Sequence, residues 1–316
     1  MKKIFVDGLS GTTGLKIHER LALYEELEMI TIDYEKRRDA NERAKCLNGA
    51  DLVFLCLPDE AAKEAVSLVT NPTTRIIDAS TAYRTSADWT YGLPELSKLH
   101  RDAVKESKRV SNPGCHATAF ILGVYPLIAN KIMPPDYPIT CQSLTGYSGG
   151  GKPLIEKYES EEGKNDYTKA PRPYGLSLNH KHLPEMTKHS LLKEAPVFVP
   201  ILGNNYKGLA VLTSIHTKLL AKKLTAKNLH ESLSEHYQNE RFVKVMPFAD
   251  DSMLFDGAVD ITACNDTNSA EIFVFGNEAR ESAVILTRLD NLGKGASGAA
   301  IQNMNIMLGF EENLHL

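Results

Sequence analysis

One cysteine stands where a tight turn leads into an apolar helix. The segment Ser111–Thr118 reads Ser-Asn-Pro-Gly-Cys-His-Ala-Thr, so the Asn-Pro-Gly turn delivers Cys115 to the helix start. A helix N-terminus favours a thiolate over a thiol, and we therefore expect a lowered pKa for Cys115. Cys115 is the candidate nucleophile, with a buried structural thiol as the alternative. The other cysteines lie in apolar or strand-like runs and are typical of small core residues: Cys46, Cys56, Cys141 and Cys264.

Two histidines could serve that nucleophile. His180 and His182 are two residues apart, and in an extended segment their side chains would face the same side. A thiolate that forms and releases an acyl group needs a proton donor and acceptor within reach. One alternative is that Pro184 and Glu185 form a first helical turn that His182 only flanks. The other is a metal site, but the remaining ligand candidates lack supporting spacing, so we expect no metal.

A glycine-rich turn follows the first predicted strand and opens the first predicted helix. Its sequence is Gly-Leu-Ser-Gly-Thr-Thr-Gly, with GxxGxxG spacing in place of the usual GxGxxG. Glycines let a backbone approach a pyrophosphate, and the helix N-terminus offers N–H groups. We expect a dinucleotide here, rather than a plain glycine-rich loop, held by Gly8, Ser10, Gly11, Thr12, Thr13 and Gly14.

The end of the second predicted strand bears on the choice of dinucleotide. Asp33 could hold a ribose 2′-hydroxyl, which would favour NAD. Lys36, Arg37 and Arg38 follow at once and could neutralise the 2′-phosphate of NADP, although such runs are more often solvated surface. We predict NADP, bound by Arg37 and Arg38, and NAD stays open as the alternative.

The elements that must position these groups alternate between strand and helix in the first part of the chain. Apolar runs at Lys3–Val6, Met29–Asp33, Asp51–Leu57 and Arg75–Asp78 predict strands, and Lys16–Glu26 and Glu60–Thr70 predict helices. This pattern predicts an α/β fold with a doubly wound parallel sheet. The stretch Val110–Asn130 lacks Asp, Glu, Lys and Arg and predicts a buried helix.

Beyond Tyr137 the chain changes to short segments rich in Val, Ile, Thr and Phe. They predict a mixed, largely antiparallel α+β domain with helices on one face of its sheet. Ala226–Gln238 and Ala296–Leu308 predict helices, and the polar stretch Gly163–Asn179 predicts a loop. The expected strands are Pro138–Leu144, Val197–Ile201, Leu209–Lys218, Phe242–Met246, Val259–Ala263, Ile272–Gly276 and Ser282–Leu289.

Composition excludes several classes of protein. The chain has 316 residues, 24% of them charged, and a formal charge of −4, which gives no pull toward nucleic acid or an anionic membrane. The apolar part of Val110–Asn130 is far shorter than the ~20 residues of a membrane span. Five cysteines without a CxxC pair argue against a disulfide framework, and Ile4–Val6 is too short for the apolar region of a signal peptide. We expect a reduced, cytoplasmic protein with no nucleic-acid or membrane partner.

The motifs together resemble one enzyme family over nearly the whole chain. They are Gly8–Gly14, Asp78–Arg84, Tyr91–Glu95, Ser111–Thr118, Gly146–Lys152, His180–Glu185 and Asp290–Gly298. The chain is similar to the N-acetyl-gamma-glutamyl-phosphate reductases of arginine biosynthesis, in their shorter form. The combination of Ser-Asn-Pro-Gly-Cys with His-Lys-His-Leu-Pro-Glu carries this resemblance most specifically.

The resemblance implies both architecture and reaction. A Rossmann-type domain would span residues 1–114 and be completed by 291–316, and residues 115–290 would form the catalytic and oligomerisation domain. The implied reaction is the NADPH-dependent reductive dephosphorylation of N-acetyl-glutamyl phosphate to the semialdehyde. Cys115 would carry a thioester, His182 would supply the proton with His180 as second choice, and Asn291 would reach the nicotinamide side.

Substrate contacts can be assigned in the same way. Arg84 and Lys152 are candidate clamps for the phosphate or carboxylates of the acyl phosphate, with surface ion pairs as the alternative. Ser148 and Asn112 are expected neighbours of the substrate. His116 departs from the residues common at its position, and we expect it not to touch the chemistry. Because large antiparallel sheets often pair across subunits, we expect a homo-dimer or homo-tetramer.

Other functions stay open at this point. A sister dehydrogenase acting on aspartyl phosphate or an aminoadipyl phosphate would share the chemistry and differ in its pocket. A cysteine-dependent hydrolase or acyltransferase would use Cys115 without a dinucleotide, so tight NADP binding would exclude it. A redox-sensing or scaffold protein would keep its role after Cys115→Ser.

Overall fold

The computed structural model describes residues 1–9, 11–162, 166–248 and 250–316. The chain forms two compact units, Met1–Gly114 with Ala296–Leu316, and Cys115–Gly295. The sequence placed the return to the first unit at Asn291, and the structure places it at Ala296. Within the described ranges, no helix combines the length and apolar character that crossing a membrane requires.

The first unit is built on a parallel sheet. Its strands are β1 (Lys2–Asp7), β2 (Leu27–Ile30), β3 (Leu52–Leu55), β4 (Arg75–Asp78), β5 (Thr90–Tyr91) and β6 (Arg109–Ser111). They follow the order β2-β1-β3-β4-β6-β5, and every pairing is parallel. The order reverses between β1 and β3, and such a reversal opens a crevice at the carboxyl ends of the strands. The glycine-rich turn follows β1 at that edge.

Helices cover both faces of this sheet. The connections contain α1 (Thr12–Leu21), α2 (Ala40–Gly49), α3 (Asp59–Leu68) and α4 (Lys98–Glu106). Alternate residues of β1 face opposite layers, because Ile4 packs with Ile17 of α1 while Phe5 packs with Leu47 of α2. The predicted doubly wound fold is confirmed, although the sequence pattern did not indicate α2 or α4.

The second unit contains the predicted mixed sheet. Its strands are β7 (Thr140–Thr145), β8 (Arg172–Pro173), β9 (Val197–Leu202), β10 (Leu209–His216), β11 (Val243–Val245), β12 (Ala270–Asn277) and β13 (Ser282–Leu289). The order is β11-β12-β13-β10-β7-β9-β8. The β7–β9 and β11–β12 pairs are parallel and the others are antiparallel. A mixed, largely antiparallel sheet is therefore confirmed.

The helices of this unit are α5 (Cys115–Ala129), α6 (Lys152–Glu159), α7 (Asp166–Lys169), α8 (Leu183–His189) and α9 (Ala226–Tyr237). The uncharged helix α5 is buried along nearly its whole length, as its sequence predicts. It lies close against β13, where a Cβ on Gly123 would meet Oγ1 of Thr287 at 3.1 Å. This packing fixes the direction in which the first turn of α5 presents its side chains.

Two expectations about this unit are wrong. Val259–Ala263 forms turns instead of a strand, because the Asp260 side chain accepts hydrogen bonds from the N and Oγ1 of Thr262 and holds the backbone locally. The stretch 163–179 is not all loop, since α7 and β8 lie within it; residues 163–165 fall outside the described residues. Pro173 is tolerated because β8 is an edge strand.

The chain ends in α10 (Gly298–Leu308), which begins two positions after the predicted Ala296. A π-helical turn over Gly293–Ser297 precedes it. Ile301 and Met304 of α10 pack into the layer that also contains Ile4. The return of the C-terminal segment to the first unit is thus driven by burial of one apolar helix face.

Candidate active site

Cys115 is the first residue of α5, at the start of the second unit. The backbone of Gly295 lies directly against it, because a Cβ built on Gly295 would stand 2.6 Å from Cβ of Cys115 and 3.1 Å from its Cα. Only glycine leaves room for the cysteine at this distance. π-Helical turns are rare and occur frequently at functional sites, and here the turn provides this close approach.

Three histidine rings cluster beside the start of α5. The ring centroids of His180 and His182 are 4.8 Å apart, and each lies 5.5 Å from the ring of His116. The predicted pair therefore does come together, but in a turn instead of an extended segment, since the N–H of Leu183 bonds to the carbonyl of His180. The ring of His116 on α5 also lies in this group. Whether it takes part in the chemistry stays a prediction.

His182 is the N-terminal residue flanking α8 and is buried. Its Nε2 lies 3.9 Å from Oε1 of Glu185, a carboxylate that is 1% exposed. A carboxylate at this distance favours the imidazolium form of the histidine, while the burial of the ring opposes it. His182 does flank a helical turn that contains Pro184 and Glu185, which was one of the alternatives raised by the sequence. Its side chain nevertheless makes no cap hydrogen bond.

His180 is held in the neutral form. Burial, together with the charge of Lys181, lowers the pKa of His180 to about 4. Its Nδ1 accepts a hydrogen bond of 3.2 Å from the backbone N–H of His182, so the proton of the neutral ring is on Nε2. Within the described ranges, no three or more His, Cys, Asp or Glu side chains are arranged to hold a metal ion.

His116 links this cluster to two hydroxyl groups. Its Nδ1 lies 2.8 Å from Oγ of Ser143 on β7, and its Nε2 lies 3.2 Å from the hydroxyl of Tyr174. Burial, with the nearby His180 and Lys181, lowers the pKa of His116 to about 3. Burial and the charge of Cys115 raise the pKa of Tyr174. Both rings are therefore neutral at neutral pH, and Tyr174, which sequence analysis missed, joins the histidine cluster through His116.

Ser148 and Asn291, predicted for substrate and cofactor, are bonded to each other. Nδ2 of Asn291 donates to Oγ of Ser148 at 3.0 Å, and Oδ1 of Asn291 accepts from the N–H of Gly208 at 2.9 Å. Both side chains are almost fully buried. They join the loop after β7 to the segments that begin β10 and follow β13. Their ligand contacts stay predictions.

Lys152 occupies the first position of α6 and is exposed. The glycine-rich loop ahead of it is shaped by backbone packing, because a Cβ on Gly146 would stand 2.5 Å from the carbonyl oxygen of Tyr206. Gly151, which flanks the helix, has φ of 73°, a conformation that favours glycine. An exposed lysine at a helix N-terminus fits the predicted anion clamp. That Lys152 binds a substrate anion stays a prediction.

The glycine-rich turn in the first unit fits a dinucleotide phosphate. Gly8 has φ of 98°, and a Cβ on it would stand 2.3 Å from the carbonyl oxygen of Cys56, while a Cβ on Gly14 would meet the carbonyl oxygen of Gly8 at 2.5 Å. Gly11 precedes Thr12 at the start of α1, and among the described residues no side chain caps that helix. Backbone N–H groups are thus left for an anion. Thr13 lies in the same turn, and Ser10 lies outside the described residues.

The residues predicted for the 2′-phosphate follow β2. The Arg37 guanidinium lies 3.5 Å over the ring of Tyr34 and donates to its carbonyl oxygen, and Arg38 is exposed. Asp33 accepts a hydrogen bond of 3.0 Å from the N–H of Glu35. That bond occupies one oxygen of the carboxylate. Lys36, Arg37 and Arg38 follow Asp33 within five positions of the chain, so the local charge suits a 2′-phosphate.

Arg84 and Asn112 form a buried network at the ends of β4 and β6. Nε of Arg84 donates to the carbonyl oxygen of Asn112 at 3.0 Å, and the Asn112 side chain bonds to the carbonyl of Ala296 and to Asn303. Burial raises the pKa of the adjacent Asp78 to about 6, opposed by a hydrogen bond from Ser80. Arg84 and Asn112 thus hold the backbone that leads to Cys115, and their substrate contacts stay predictions.

Comparison with known proteins agrees with this arrangement. Residues 12–107 match the family described as semialdehyde dehydrogenase, NAD binding domain, and residues 115–291 match semialdehyde dehydrogenase, dimerisation domain. An aspartate semialdehyde dehydrogenase from Francisella tularensis superposes with a TM-score of 0.73 at 15% identity, covering 98% of this chain and 100% of that chain. The fold and both domain matches are those of the semialdehyde dehydrogenases.

Sequence relatives narrow the class. N-acetyl-gamma-glutamyl-phosphate reductase 2 from Nostoc sp. is 48% identical over 318 residues, 99% of each chain. N-acetyl-gamma-glutamyl-phosphate reductase from Chelativorans sp. is 44% identical, covering 97% of this chain and 98% of that one. The chain belongs to the N-acetyl-gamma-glutamyl-phosphate reductase family.

Proposed function

We propose that the protein reduces N-acetyl-L-glutamyl 5-phosphate to N-acetyl-L-glutamate 5-semialdehyde in arginine biosynthesis. The thiolate of Cys115 attacks the acyl carbon, the carbon–oxygen bond to phosphate breaks, and phosphate leaves with the bonding electron pair. The product of this step is a thioester on Cys115. The observation that carries the proposal is the packing of the His180 and His182 rings against His116, the residue that follows Cys115.

The second half of the reaction uses NADP as the cofactor. When bound, NADPH supplies the hydride that reduces the acyl carbon. His182 donates its proton to the carbonyl oxygen, which gives a hemithioacetal, and takes that proton back as the carbon–sulfur bond breaks. The aldehyde leaves and the Cys115 thiolate is restored, so atoms and charge balance. Backbone N–H groups in the first turn of α5 would stabilise the oxyanion.

The choice of His182 over His180 rests on their surroundings. His182 has a buried carboxylate 3.9 Å away that favours its protonated form. His180 has a pKa lowered to about 4, so it carries little proton to donate at neutral pH. We therefore assign His182 as the acid–base group and His180 as a residue that orients it through its bond to the His182 backbone.

The remaining site residues divide by what they hold. We assign the cofactor pyrophosphate to Gly8–Gly14 and the 2′-phosphate to Arg37 and Arg38. Lys152 would hold a substrate anion, with Ser148 and Asn291 fixing its loop. Arg84 and Asn112 would contact the substrate and also hold in place the backbone that precedes Cys115. We also propose a homo-dimer or homo-tetramer, supported by the dimerisation-domain match, and a cytoplasmic location.

The reverse reaction tests this function. Purified protein is mixed with N-acetyl-glutamate semialdehyde, phosphate and either NADP or NAD, and reduced cofactor is followed by its absorbance. Aspartate semialdehyde runs in parallel. We expect phosphate-dependent reduction of NADP with the acetylated substrate, lost in Cys115→Ser although that variant still binds NADP. Turnover of aspartate semialdehyde alone would contradict the substrate assignment.

A further inference from the structure

A buried ion pair lies directly ahead of the glycine-rich turn. Asp7 is the last residue of β1, and Gly8 follows it. Arg43 of α2 donates two hydrogen bonds to Oδ2 of Asp7, from Nε at 3.1 Å and from Nη2 at 2.9 Å. The side chains of Arg43 and Asp7 are 7% and 9% exposed. Charged side chains are rarely buried to this degree unless they are paired, so each of the two depends on the other.

The guanidinium of Arg43 is held in place by further contacts. Its Nη1 donates to Oε2 of Glu64 on α3 at 3.1 Å. The backbone N–H of Arg43 bonds to the carbonyl oxygen of Asp39 at 2.9 Å, and the Asp39 side chain caps α2 through the N–H groups of Asn41 and Glu42. Three elements of the first unit, β1, α2 and α3, thus meet at one guanidinium group, whose place is fixed by the chain itself.

The negative charge of Asp7 bears on the turn assigned to the cofactor pyrophosphate. Consecutive Cα atoms are about 3.8 Å apart, so the carboxylate lies within a Debye length, about 10 Å at 0.1 M salt, of an anion that contacts Gly8. A carboxylate without a positive partner at that distance would repel a pyrophosphate. Arg43 cancels this charge. The charge of Glu64 is largely screened by water, because that side chain is 54% exposed.

We propose that Arg43 is a positioning residue for cofactor binding: it neutralises Asp7 and holds the carboxylate against α2, so that the glycine-rich turn accepts a pyrophosphate. The inference rests on the pyrophosphate site of the proposed function, and Arg43 acts through Asp7. Because NADP and NAD carry the same pyrophosphate, Arg43 should serve both dinucleotides equally. Arg38, which is assigned to the 2′-phosphate, should affect NADP alone.

Titration calorimetry of the purified protein with NADP and with NAD tests this role. Arg43→Met keeps an unbranched side chain and leaves Asp7 without its positive partner. At pH 8 the Asp7 carboxylate stays ionised, since burial raises the pKa of the more deeply buried Asp78 only to about 6. By Coulomb's law with an effective dielectric constant of about 20, one unit charge at roughly 10 Å changes affinity on the order of tenfold. We expect Kd to rise by that factor for both dinucleotides.

Removal of the negative charge distinguishes this role from a purely structural one. The double variant Asp7→Asn, Arg43→Met lacks both charges, and its Kd should return to within about twofold of the parent value. Asp7→Asn alone should not weaken binding. An ion pair that only supports the fold would give the opposite result, because both variants lack it and both would bind poorly.

Arg288→Met is the matched control. Arg288 lies in the second unit, is as deeply buried as Arg43, and donates from Nε to Glu271 at 2.7 Å. Breaking this second buried pair should lower the melting temperature, while Kd for NADP and for NAD stays at the parent value. Thermal melting of every variant establishes that the folded protein is titrated.

Each outcome supports or overturns the role of Arg43. An unchanged Kd in folded Arg43→Met overturns it, and so does a double variant that binds as weakly as Arg43→Met. If Arg43→Met does not fold, Asp7→Asn decides, because a loss of affinity of about tenfold there would contradict a harmful carboxylate charge. A parent protein that binds NADP but reduces no acyl phosphate overturns the proposed reaction alone. A parent protein that binds neither dinucleotide overturns the cofactor site and this inference together.

Discussion

Gly295→Ala should disable Cys115 as a nucleophile while leaving the first unit, Met1–Gly114 with Ala296–Leu316, intact. The new methyl group would stand 2.6 Å from Cβ of Cys115, whereas ordinary contact begins at 3.4 Å, so the two must separate by about 0.8 Å. The contact with Cys115 cannot be relieved by rotating a side chain, because Cβ is fixed to the backbone and Cα of Cys115 lies at 3.1 Å from the new methyl group. Cδ1 of Leu289, also at 3.1 Å, restricts movement of the methyl group. The displacement must therefore pass to the start of α5.

The expected loss follows from the displacement. Misplacing a reacting group by about 1 Å costs on the order of 100-fold in rate, which corresponds to about 2.7 kcal/mol of barrier. We expect kcat/KM for the reverse reaction to fall by roughly that factor, with NADP affinity unchanged by equilibrium titration. Gly49→Ala is the matched control, because its nearest neighbour would be Cδ1 of Ile30 at 3.7 Å. Full activity in a Gly295→Ala protein that melts like the parent would refute the close approach.

Three further predictions follow from the charges of the site. Glu185→Gln removes the carboxylate that favours protonated His182, so the alkaline limb of the pH–rate profile should shift to lower pH by at least about one unit. An unshifted alkaline limb would show that Glu185 does not set the protonation of the catalytic histidine. Arg38→Ala should raise KM for NADPH about tenfold without changing KM for NADH, and equal effects on both cofactors would remove Arg38 from the 2′-phosphate site. Burial lowers the pKa of His116 from 6.5 to about 3, so the unfolded chain takes up a proton first as pH falls below 6.5. The free energy of unfolding of the parent protein, measured in urea, should therefore fall by about 2 kcal/mol more between pH 6.5 and 5 than that of His116→Phe. Parallel pH dependences of the two proteins would contradict a neutral buried ring.

The fold was largely predictable because its elements differ in pattern. Uninterrupted apolar runs such as β3 are typical of parallel strands covered on both faces, and α5 lacks charge because it is buried almost everywhere. The strand expected at Val259–Ala263 was wrong because apolar character at Val259 and Ile261 cannot reveal that the Asp260 side chain will bond to Thr262. Side chains that form hydrogen bonds with nearby backbone groups compete with strand formation and can outweigh a short apolar pattern.

The candidate nucleophile and its histidines were predictable from the sequence, and the residues that support them were less so. Cys115, His180 and His182 lie in motifs with local spacing, so sequence alone singles them out. Tyr174 lies in a segment expected to be loop, and β8 pairing with β9 places it beside His116. The Asn291–Ser148 bond joins residues separated by most of the second unit, and no local pattern encodes it.

The most direct test of the central claim is capture of the acyl-enzyme. The protein is mixed with N-acetyl-glutamyl phosphate in the absence of NADPH, quenched in acid, digested and analysed by mass spectrometry, with aspartyl phosphate in parallel. The account predicts one N-acetyl-glutamyl group on the peptide that contains Cys115, released by NADPH as the semialdehyde and absent in Cys115→Ser. An unmodified Cys115 peptide from protein that turns over the same substrate with NADPH would contradict it.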